Sequence, residues 1–160
     1  MTRRGRLAAI LYGTAVAAYL LDRLTKYLAG RHLAGQEPIE LIAGVVQLRY
    51  ATNAGGAFGL FANQPWLFFF ATLLVCAAIV VASTRPSSLA GSIGFGLILG
   101  GALGNLTDRI IRGPGVSGRV VDFIDFHVWP VFNLADSAIV VGALIVVLAG
   151  LRRPQDPENA

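Results

Sequence analysis

The sequence is poor in the residues that carry thiol and metal chemistry. One of its 160 residues is a cysteine, Cys76, and two are histidines, His32 and His127. A lone cysteine excludes an internal disulfide, and the aliphatic neighbours of Cys76 indicate a small buried hydrophobic side chain instead of a nucleophile. Neither histidine stands in a ligand motif such as HExxH. We therefore expect a protein that uses no metal and no cofactor.

Charge is also scarce. Charged residues make up 14% of the chain, against about 25% in typical soluble domains. The net charge is +4, but the basic residues are scattered and none form a run interleaved with aromatic side chains. This distribution argues against a nucleic-acid partner.

Long apolar runs take the place of charge. The hydrophobic fraction is 55% and the mean hydropathy is +0.65. Four runs approach the length of about 17–25 residues with which a helix spans a bilayer, and they lie at residues 7–21, 65–82, 89–106 and 132–151. A soluble protein of this length has no core large enough to hide four such helices.

The runs predict an all-α membrane protein with four transmembrane helices in a single domain, residues 1–160. We expect the spans at about 7–24, 65–83, 89–107 and 132–151. The first run follows three arginines, as a cleaved signal peptide would. It ends at Asp22 and Arg23 without a small-residue cleavage site, which favours an uncleaved span.

The two longer connections, residues 25–64 and 108–131, are predicted to form a small cap that contains β-structure. The first opens on DRLTKYLAGRH, which is expected to continue helix 1, and then reads ELIAGVVQLRYATN. The second contains VVDFIDF. Both of the latter stretches carry the partial alternation and β-branched residues that are typical of strands.

The third run carries a stripe of glycines. Gly96, Gly100 and Gly104 recur every four residues, so on a helix they share one face. Small residues on one face let helices approach closely in lipid, and the stripe therefore indicates packing and no chemistry.

The distribution of arginines predicts the orientation in the membrane. With four spans both termini lie on one side, which would hold Arg3, Arg4, Arg6, Arg85, Arg152 and Arg153. The other side would hold seven basic residues, but these share their segments with six carboxylates. Because the first set crowds the span ends, the positive-inside rule places both termini in the cytoplasm and the cap outside.

Asp136 is the first polar residue that needs an explanation, because it stands at the leading edge of the fourth run. Ionisable residues at such positions are costly and indicate function. Asn133 lies three residues earlier and shares a helical face with it. A structural alternative is a helix N-cap. We expect Asn133 to serve as that cap alone, with Asp136 too deep in the helix to take part.

Asp122 is the second such residue, since it lies between bulky apolar neighbours in GRVVDFIDF just before a span. Asp125 is its rival. On a strand, their odd separation sends the two to opposite faces, one toward the helices and one toward water. The spacing alone does not choose between them.

Two further groups lie near the same predicted surface. Asn105, Asp108 and Arg109 share a helical face at the end of the third run, and a surface Asp–Arg pair of little energetic weight is the structural alternative. NAGGAFG, residues 53–59, contains adjacent glycines that permit a turn or a close approach to a ligand. The Phe68–Phe70 run that follows either contacts lipid or lines an acyl groove, and we favour simple contact with lipid.

The convergence of these groups favours aspartic chemistry at the outer surface. Two carboxylates about 3 Å apart share one proton, so one can act as a base and the other as an acid. Ser137 has no Lys or His at a helical spacing to activate it. A small proton-coupled transporter or channel subunit, with Asp136 as a relay, is the main alternative. A noncatalytic assembly protein, held together by the glycine stripe, is the second.

The sequence resembles the bacterial lipoprotein signal peptidases, also called signal peptidase II. The resemblance covers most of the chain in order and spacing. It is carried by DRLTK at 22–26, NAGGAF at 53–58, GGALGNLTDR at 100–109, VVDF at 120–123 and FNLADS at 132–137. Mild departures are Gly56, where the family often has alanine, and a longer loop at 112–118.

The resemblance implies a four-span aspartic peptidase whose catalytic pair corresponds to Asp122 and Asp136, and thereby selects Asp122 over Asp125. It also implies supporting or substrate-binding roles for Asn53, Gly55, Asn105, Arg109 and Asn133. For Asp22 we expect a structural role.

The same resemblance implies the substrate and the location. Such an enzyme cleaves prolipoproteins just before a cysteine that carries a diacylglyceryl group. It would lie in the bacterial cytoplasmic membrane as a monomer in contact with lipid, with the active site on the extracytoplasmic side.

Overall fold

The computed structural model of the protein describes residues 1–55, 64–86 and 88–151. Four helices and three strands lie within these ranges. They follow the order α1 (Arg3–His32), β1 (Ile39–Ile42), β2 (Val46–Asn53), α2 (Pro65–Ala82), α3 (Leu89–Ile111), β3 (Val120–Asp125) and α4 (Leu134–Leu151). The four apolar runs are therefore helical, and both predicted cap segments contain strands.

Three of the helices, α1, α3 and α4, are long and apolar enough to cross a membrane. The corresponding apolar stretch of α2, Trp66–Ala82, is shorter. The mostly helical, membrane-spanning character is thus confirmed, while a fourth span stays a prediction.

Helix α1 continues well beyond its apolar run, as the sequence predicted. Its buried residues recur every three or four positions along one face and include Leu11, Ala18, Asp22, Lys26 and Ala29. This spacing keeps one side of the helix against the rest of the protein along its whole length. The same face therefore presents apolar side chains within the run and charged ones just beyond it.

Helix α3 packs between α1 and α4, and glycines allow both contacts. A side chain at Gly96 would meet the backbone of Leu11, and one at Gly100 would meet the backbone of Ala15. On another face of α3, Gly101 lies against the backbone of Ala135 in α4. The predicted role of the glycine stripe in helix packing is confirmed.

The three strands form one antiparallel sheet in the order β1-β2-β3. Ala51 of β2 lies opposite Asp122 of β3, and Gln47 lies opposite Asp125. Val121 and Phe123 of the same strand pack with Ala29 and Leu33 at the end of α1. The sheet is therefore anchored on the charged end of the helices.

A short return of the chain brings β3 next to the start of α4. Phe132 forms an isolated antiparallel bridge with Ile124, in which its N–H donates to the Ile124 carbonyl at 3.0 Å and its carbonyl accepts from the Ile124 N–H at 2.9 Å. Because the bridge precedes α4 by two residues, it sets the helix N-terminus beside the strand. The two segments that carry Asp122 and Asp136 are held together in this way.

Candidate active site

Asp136 and Asn133 form a reciprocal cap at the start of α4. The side-chain oxygen of Asn133 accepts from the Asp136 N–H at 2.9 Å, and Oδ2 of Asp136 accepts from the Asn133 N–H at 3.3 Å. This is the hydrogen-bond pattern of a capping box, with an aspartate at the third helical position. The expectation that Asp136 lies too deep to take part in the cap is therefore wrong.

The same asparagine also reaches the other candidate carboxylate. Nδ2 of Asn133 donates to Oδ1 of Asp122 at 2.6 Å, and the asparagine side chain is fully buried. Asn133 therefore contacts both Asp122 and Asp136. The sequence signal that pointed to two acids near one surface corresponds to a single hydrogen-bonded network.

Asp125 lies outside that network. Its carboxylate accepts from Gln47 at 2.8 Å and from Nε of Arg49 at 2.6 Å, both on the neighbouring strand β2. These hydrogen bonds hold the pKa of Asp125 below its usual range. Asp125 is therefore separated from Asp122, as predicted. One of the two acids was expected to face water, which is wrong, because both are buried.

Asp122 is in the opposite electrostatic situation. Its side chain is buried, with 3% of the residue exposed. Burial, and then the nearby charge of Asp136, raise the pKa of Asp122 to about 7, against hydrogen bonds from Asn133 and Asn53 that act in the other direction. A buried acid that is still protonated near neutral pH is a candidate proton donor.

Arg109 connects the network to the segment that follows β2. Its guanidinium donates to the Ala54 carbonyl at 3.3 Å and lies 5.5 Å from the centre of the Phe68 ring. It also interacts electrostatically with Asp122 and Asp136. Phe68 is half-buried in this contact and Phe70 is exposed, so contact of the Phe68–Phe70 run with lipid stays a prediction.

Gly55 occupies a position that requires glycine. Its φ is +143°, and a Cβ there would lie 2.7 Å from the Phe68 ring. The Gly55 N–H donates to Oδ1 of Asn53 at 2.8 Å, which leaves the Asn53 amide nitrogen for Asp122. The other residues of the predicted motif, 56–58, lie outside the described part of the chain.

Asn105 approaches Asp136 from α3. Its Nδ2 donates to Oδ1 of Asp136 at 2.8 Å, and its Oδ1 accepts from Nδ2 of Asn133 at 3.3 Å. The same oxygen accepts from Nζ of Lys26 at 2.8 Å. All the supporting residues selected from the sequence, Asn53, Gly55, Asn105, Arg109 and Asn133, therefore lie around the two acids.

The structural alternative for Asp108 was a surface ion pair with Arg109, and the structure does not show one. Asp108 is fully buried, and three cations from two helices surround it: Arg23 at 2.6 Å, Arg112 at 2.8 Å and Lys26 at 3.2 Å. Its Oδ2 also accepts from the Val121 N–H at 3.2 Å, next to Asp122. Asp108 thus ties α3 to both α1 and β3.

Asp22 completes this ionic cluster. It pairs with Lys26 at 3.0 Å, and its Oδ1 accepts from the Ala135 N–H at 3.1 Å in the first turn of α4. Within the described ranges, no group of three or more His, Cys, Asp or Glu side chains is arranged to hold a metal ion.

Comparisons with known proteins identify the family. The sequence model described as Signal peptidase (SPase) II matches residues 14–152. The chain belongs to the signal peptidase II family. A lipoprotein signal peptidase of Streptomyces coelicolor is 44% identical over 94% of this chain and 74% of its own length. One of Syntrophomonas wolfei is 42% identical over 93% of this chain and 98% of its own length.

Solved structures agree with this family. A bacterial membrane enzyme determined by the in meso method at 2.3 Å superposes with a TM-score of 0.76 and 26% identity, over 91% of this chain and 92% of the other. The signal peptidase II family consists of proteases, so the family favours a hydrolase over a transporter or an assembly protein. With its apolar helices, the chain is a multi-pass integral membrane protein.

Sequence reasoning did not select Lys26 as part of the site of this signal peptidase II family member. Its spacing of four residues from Asp22 was visible, but both residues lie near the end of an apolar run, where a solvated ion pair is the ordinary interpretation. A lysine whose side chain is 0% exposed is instead a rare feature. Only the approach of α3 buries it.

Proposed function

We propose that the chain is an aspartic endopeptidase that removes signal peptides from prolipoproteins, with Asp122 and Asp136 as its catalytic pair. The observation that carries the proposal is the contact of Asn133 with both carboxylates. An asparagine between two acids holds them in one site while their environments differ, which is the arrangement that acid–base catalysis requires.

The two acids would have different roles at neutral pH. Asp122 is buried and has its pKa raised to about 7, so it would carry the shared proton. Asp136 lies in the first turn of α4 and accepts from Asn105 and from the Asn133 N–H, an environment that favours negative charge. Asp136 is therefore the proposed general base.

The reaction would proceed through a tetrahedral intermediate. Asp136 removes a proton from a water molecule as the water oxygen bonds to the scissile carbonyl carbon, and Asp122 donates its proton to the carbonyl oxygen. The proton on Asp136 then passes to the amide nitrogen as the C–N bond breaks. Asp122 recovers a proton from the hydroxyl group of the intermediate, which returns both acids to their starting states.

The supporting residues would position these groups. Asn133 and Asn53 orient Asp122, and Asn105 orients Asp136. Arg109 would hold the backbone at Ala54 and balance negative charge in the site. Gly55 would allow the chain to pass close to Phe68. Asp22 would have the structural role of fixing the start of α4 through Ala135.

The proposed substrate is a prolipoprotein whose cysteine carries a diacylglyceryl group, cleaved just before that cysteine. The acyl chains keep this residue in the bilayer, so the scissile bond lies near the membrane surface. The candidate acids lie where apolar helices meet the sheet. We propose one domain of four spans, acting as a monomer in the bacterial cytoplasmic membrane, with cytoplasmic termini and an extracytoplasmic site.

The purified protein is expected to convert a diacylglyceryl-modified prolipoprotein to a shorter product whose N-terminal residue is the lipidated cysteine. Mass spectrometry of both products measures the position of the cut. The matched control is the same precursor without the diacylglyceryl group, which should remain uncleaved. Cleavage at another bond, or equal cleavage of both precursors, would contradict the proposed specificity.

The rate of cleavage is expected to fall as the pH rises through about 7. Asp122 must be protonated to donate to the carbonyl oxygen, and its pKa is raised to about 7 by burial and by Asp136. The measurement is kcat/KM from pH 5 to 9 in detergent, because kcat/KM reports the ionisation of the enzyme without bound substrate. A rate that stays constant from pH 6 to 9 would contradict the proposal that Asp122 is the general acid.

A further inference from the structure

Lys26 is the one fully buried lysine within the described ranges, and its ammonium group has three acceptors. Nζ lies 2.8 Å from Oδ1 of Asn105, 3.0 Å from Oδ2 of Asp22 and 3.2 Å from Oδ2 of Asp108. A lysine ammonium has three N–H donors and no acceptor. Nζ donates a hydrogen bond to Asn105 and forms ion pairs with Asp22 and Asp108, whose carboxylates neutralise its charge.

Lys26 makes the shorter of two contacts that determine which way the Asn105 amide points, since Nδ2 of Asn133 donates to the same oxygen at 3.3 Å. Because Lys26 can only donate, the group of Asn105 that faces it must be the oxygen. The amide nitrogen must then point to the other side, where it donates to Oδ1 of Asp136 at 2.8 Å. With the amide turned over, two oxygens would face each other at Asp136, and two donors would face each other at Lys26.

We propose that Lys26 is a positioning residue for the cleavage reaction, because it locks Asn105 in the orientation that donates a hydrogen bond to Asp136. The proposal rests on the function proposed above, in which Asp136 is the base. Lys26 itself touches neither acid of the pair. It acts through one amide group, which distinguishes it from the other cations of the cluster.

Other charged groups also act on Asp136, and their contributions must be kept constant. Asp122 approaches from β3 and Arg109 from α3. Helix α1 contributes Lys26 and, behind it, Asp22, while α2 contributes Phe68 beneath Arg109 and has no charged side chain from Trp66 to Ala82. A substitution at Lys26 removes the donor to Asn105 and changes the balance of the buried cluster. It also removes a positive charge that lowers the pKa of Asp122, so the basic limb of the profile, which reports Asp122, is followed separately from the acidic limb.

The test replaces Lys26 with methionine, which keeps the length of the side chain and removes its donors. Without the lysine, Asp136 keeps the Asn133 N–H but no longer has a fixed Asn105 N–H, so one of the two hydrogen bonds that stabilise its carboxylate is weakened. The acidic limb of the kcat profile should therefore move up by about one pH unit, which lowers the rate on that limb about tenfold. KM should stay within about twofold, since no substrate contact changes.

Arg112→Met is the matched control. Arg112 contacts the same acid, Asp108, but not Asn105. It should lower the thermal unfolding temperature without moving the acidic limb. If Lys26→Met lowers the unfolding temperature and leaves the acidic limb within about 0.2 pH unit of the wild type, Lys26 is structural only and the proposal is overturned.

If Lys26→Met alone does not fold, the comparison is made between two other variants, Asp22→Asn and the double variant, in which the loss of one charge compensates the loss of the other. Asp22→Asn keeps an oxygen for the Ala135 N–H, and Asp22→Asn with Lys26→Met removes one charge of each sign while Asp108 keeps Arg23 and Arg112. The double variant should show the shifted acidic limb relative to Asp22→Asn. Equal profiles for these two proteins would overturn the proposal.

A spectroscopic measurement separates this proposal from the proposed function. NMR of protein labelled with ¹⁵N-asparagine shows the side-chain amide signals without any substrate. The signal that disappears in Asn105→Ala belongs to Asn105, and its width and exchange rate show whether the amide is held in one orientation. In Lys26→Met this signal should broaden or exchange faster with solvent, whereas in Arg112→Met it should not change. An unchanged signal in Lys26→Met would overturn the proposal that Lys26 orients Asn105. If the signal changes but the wild-type protein cleaves no prolipoprotein, only the proposed function is overturned.

Discussion

Asp122→Asn and Asp136→Asn should each reduce cleavage of a diacylglyceryl-modified prolipoprotein by about 10²–10⁴-fold, the range expected when a general acid or base is lost. Asparagine has nearly the shape of aspartate but cannot take up and release the proton. At Asp122, asparagine keeps an oxygen for Nδ2 of Asn133. At Asp136, it keeps one of the two oxygens that accept from Asn105 and from the Asn133 N–H. The folded structure should therefore persist, and the loss should appear in kcat in a gel-shift cleavage assay.

Asp125→Asn is the control for this pair, because it makes the same chemical change on the same strand. Its carboxylate is engaged with Gln47 and Arg49, away from Asn133. Its cleavage rate should stay within about twofold of the wild type. Loss of activity in Asp125→Asn, together with retained activity in Asp122→Asn, would show that Asp125 and not Asp122 is the catalytic acid of this strand.

Asp122→Asn should also change how the stability of the protein depends on pH. Asp122 has a folded-state pKa of about 7, above its ordinary value of 3.8. Its contribution to stability is then fully present below pH 3.8 and is lost as the pH rises through about 7. Asp122→Asn should remove this decline, so its unfolding temperature at pH 8 should not fall below that of the wild type.

Asp108→Asn should have the largest effect on stability, lowering the free energy of unfolding by about 3–5 kcal/mol, as expected when one partner of a buried ion pair is removed. Arg23, Lys26 and Arg112 all contact this carboxylate, which is 0% exposed. Without it, Lys26 keeps its ion pair with Asp22, whereas Arg23 and Arg112 lose the carboxylate that both of them contact. The measurement is unfolding in detergent, followed by circular dichroism.

Asp125→Asn is again the matched control for stability. Its ion-pair partner Arg49 has a side chain that is 42% exposed, so water screens the pair and the loss should be about 0–1 kcal/mol. Equal losses in Asp108→Asn and Asp125→Asn would show that burial of the Asp108 cluster does not govern its energy.

Much of the fold could be predicted because it follows from local patterns. The apolar runs became helices and the alternating stretches became strands. Gly96 and Gly100 lie where their four-residue spacing put them, against α1. Such features depend on residues that are neighbours along the chain, so a periodicity is enough to predict them.

The predictions that failed concern contacts between segments. Asp136 was predicted to lie too deep in the helix for a cap. Its carboxylate accepts from the Asn133 N–H, and this contact depends on the angle at which the chain enters α4, which the spacing of residues does not give. One of Asp122 and Asp125 was expected to face water, yet both are buried, and Gln47 and Arg49 of β2 contact the Asp125 carboxylate.

By itself the sequence determined the class of protein and the helices and strands, since these follow from composition and periodicity. Motif spacing brought Asn133 and Asp136 together, and the family resemblance selected Asp122 over Asp125 and assigned the supporting residues. The tertiary structure alone decided what each charge does. Lys26 and Asp108 lie 82 positions apart in the sequence and are buried together only when α3 packs on α1. Their energies depend on that burial, because removing water strengthens every interaction between charges.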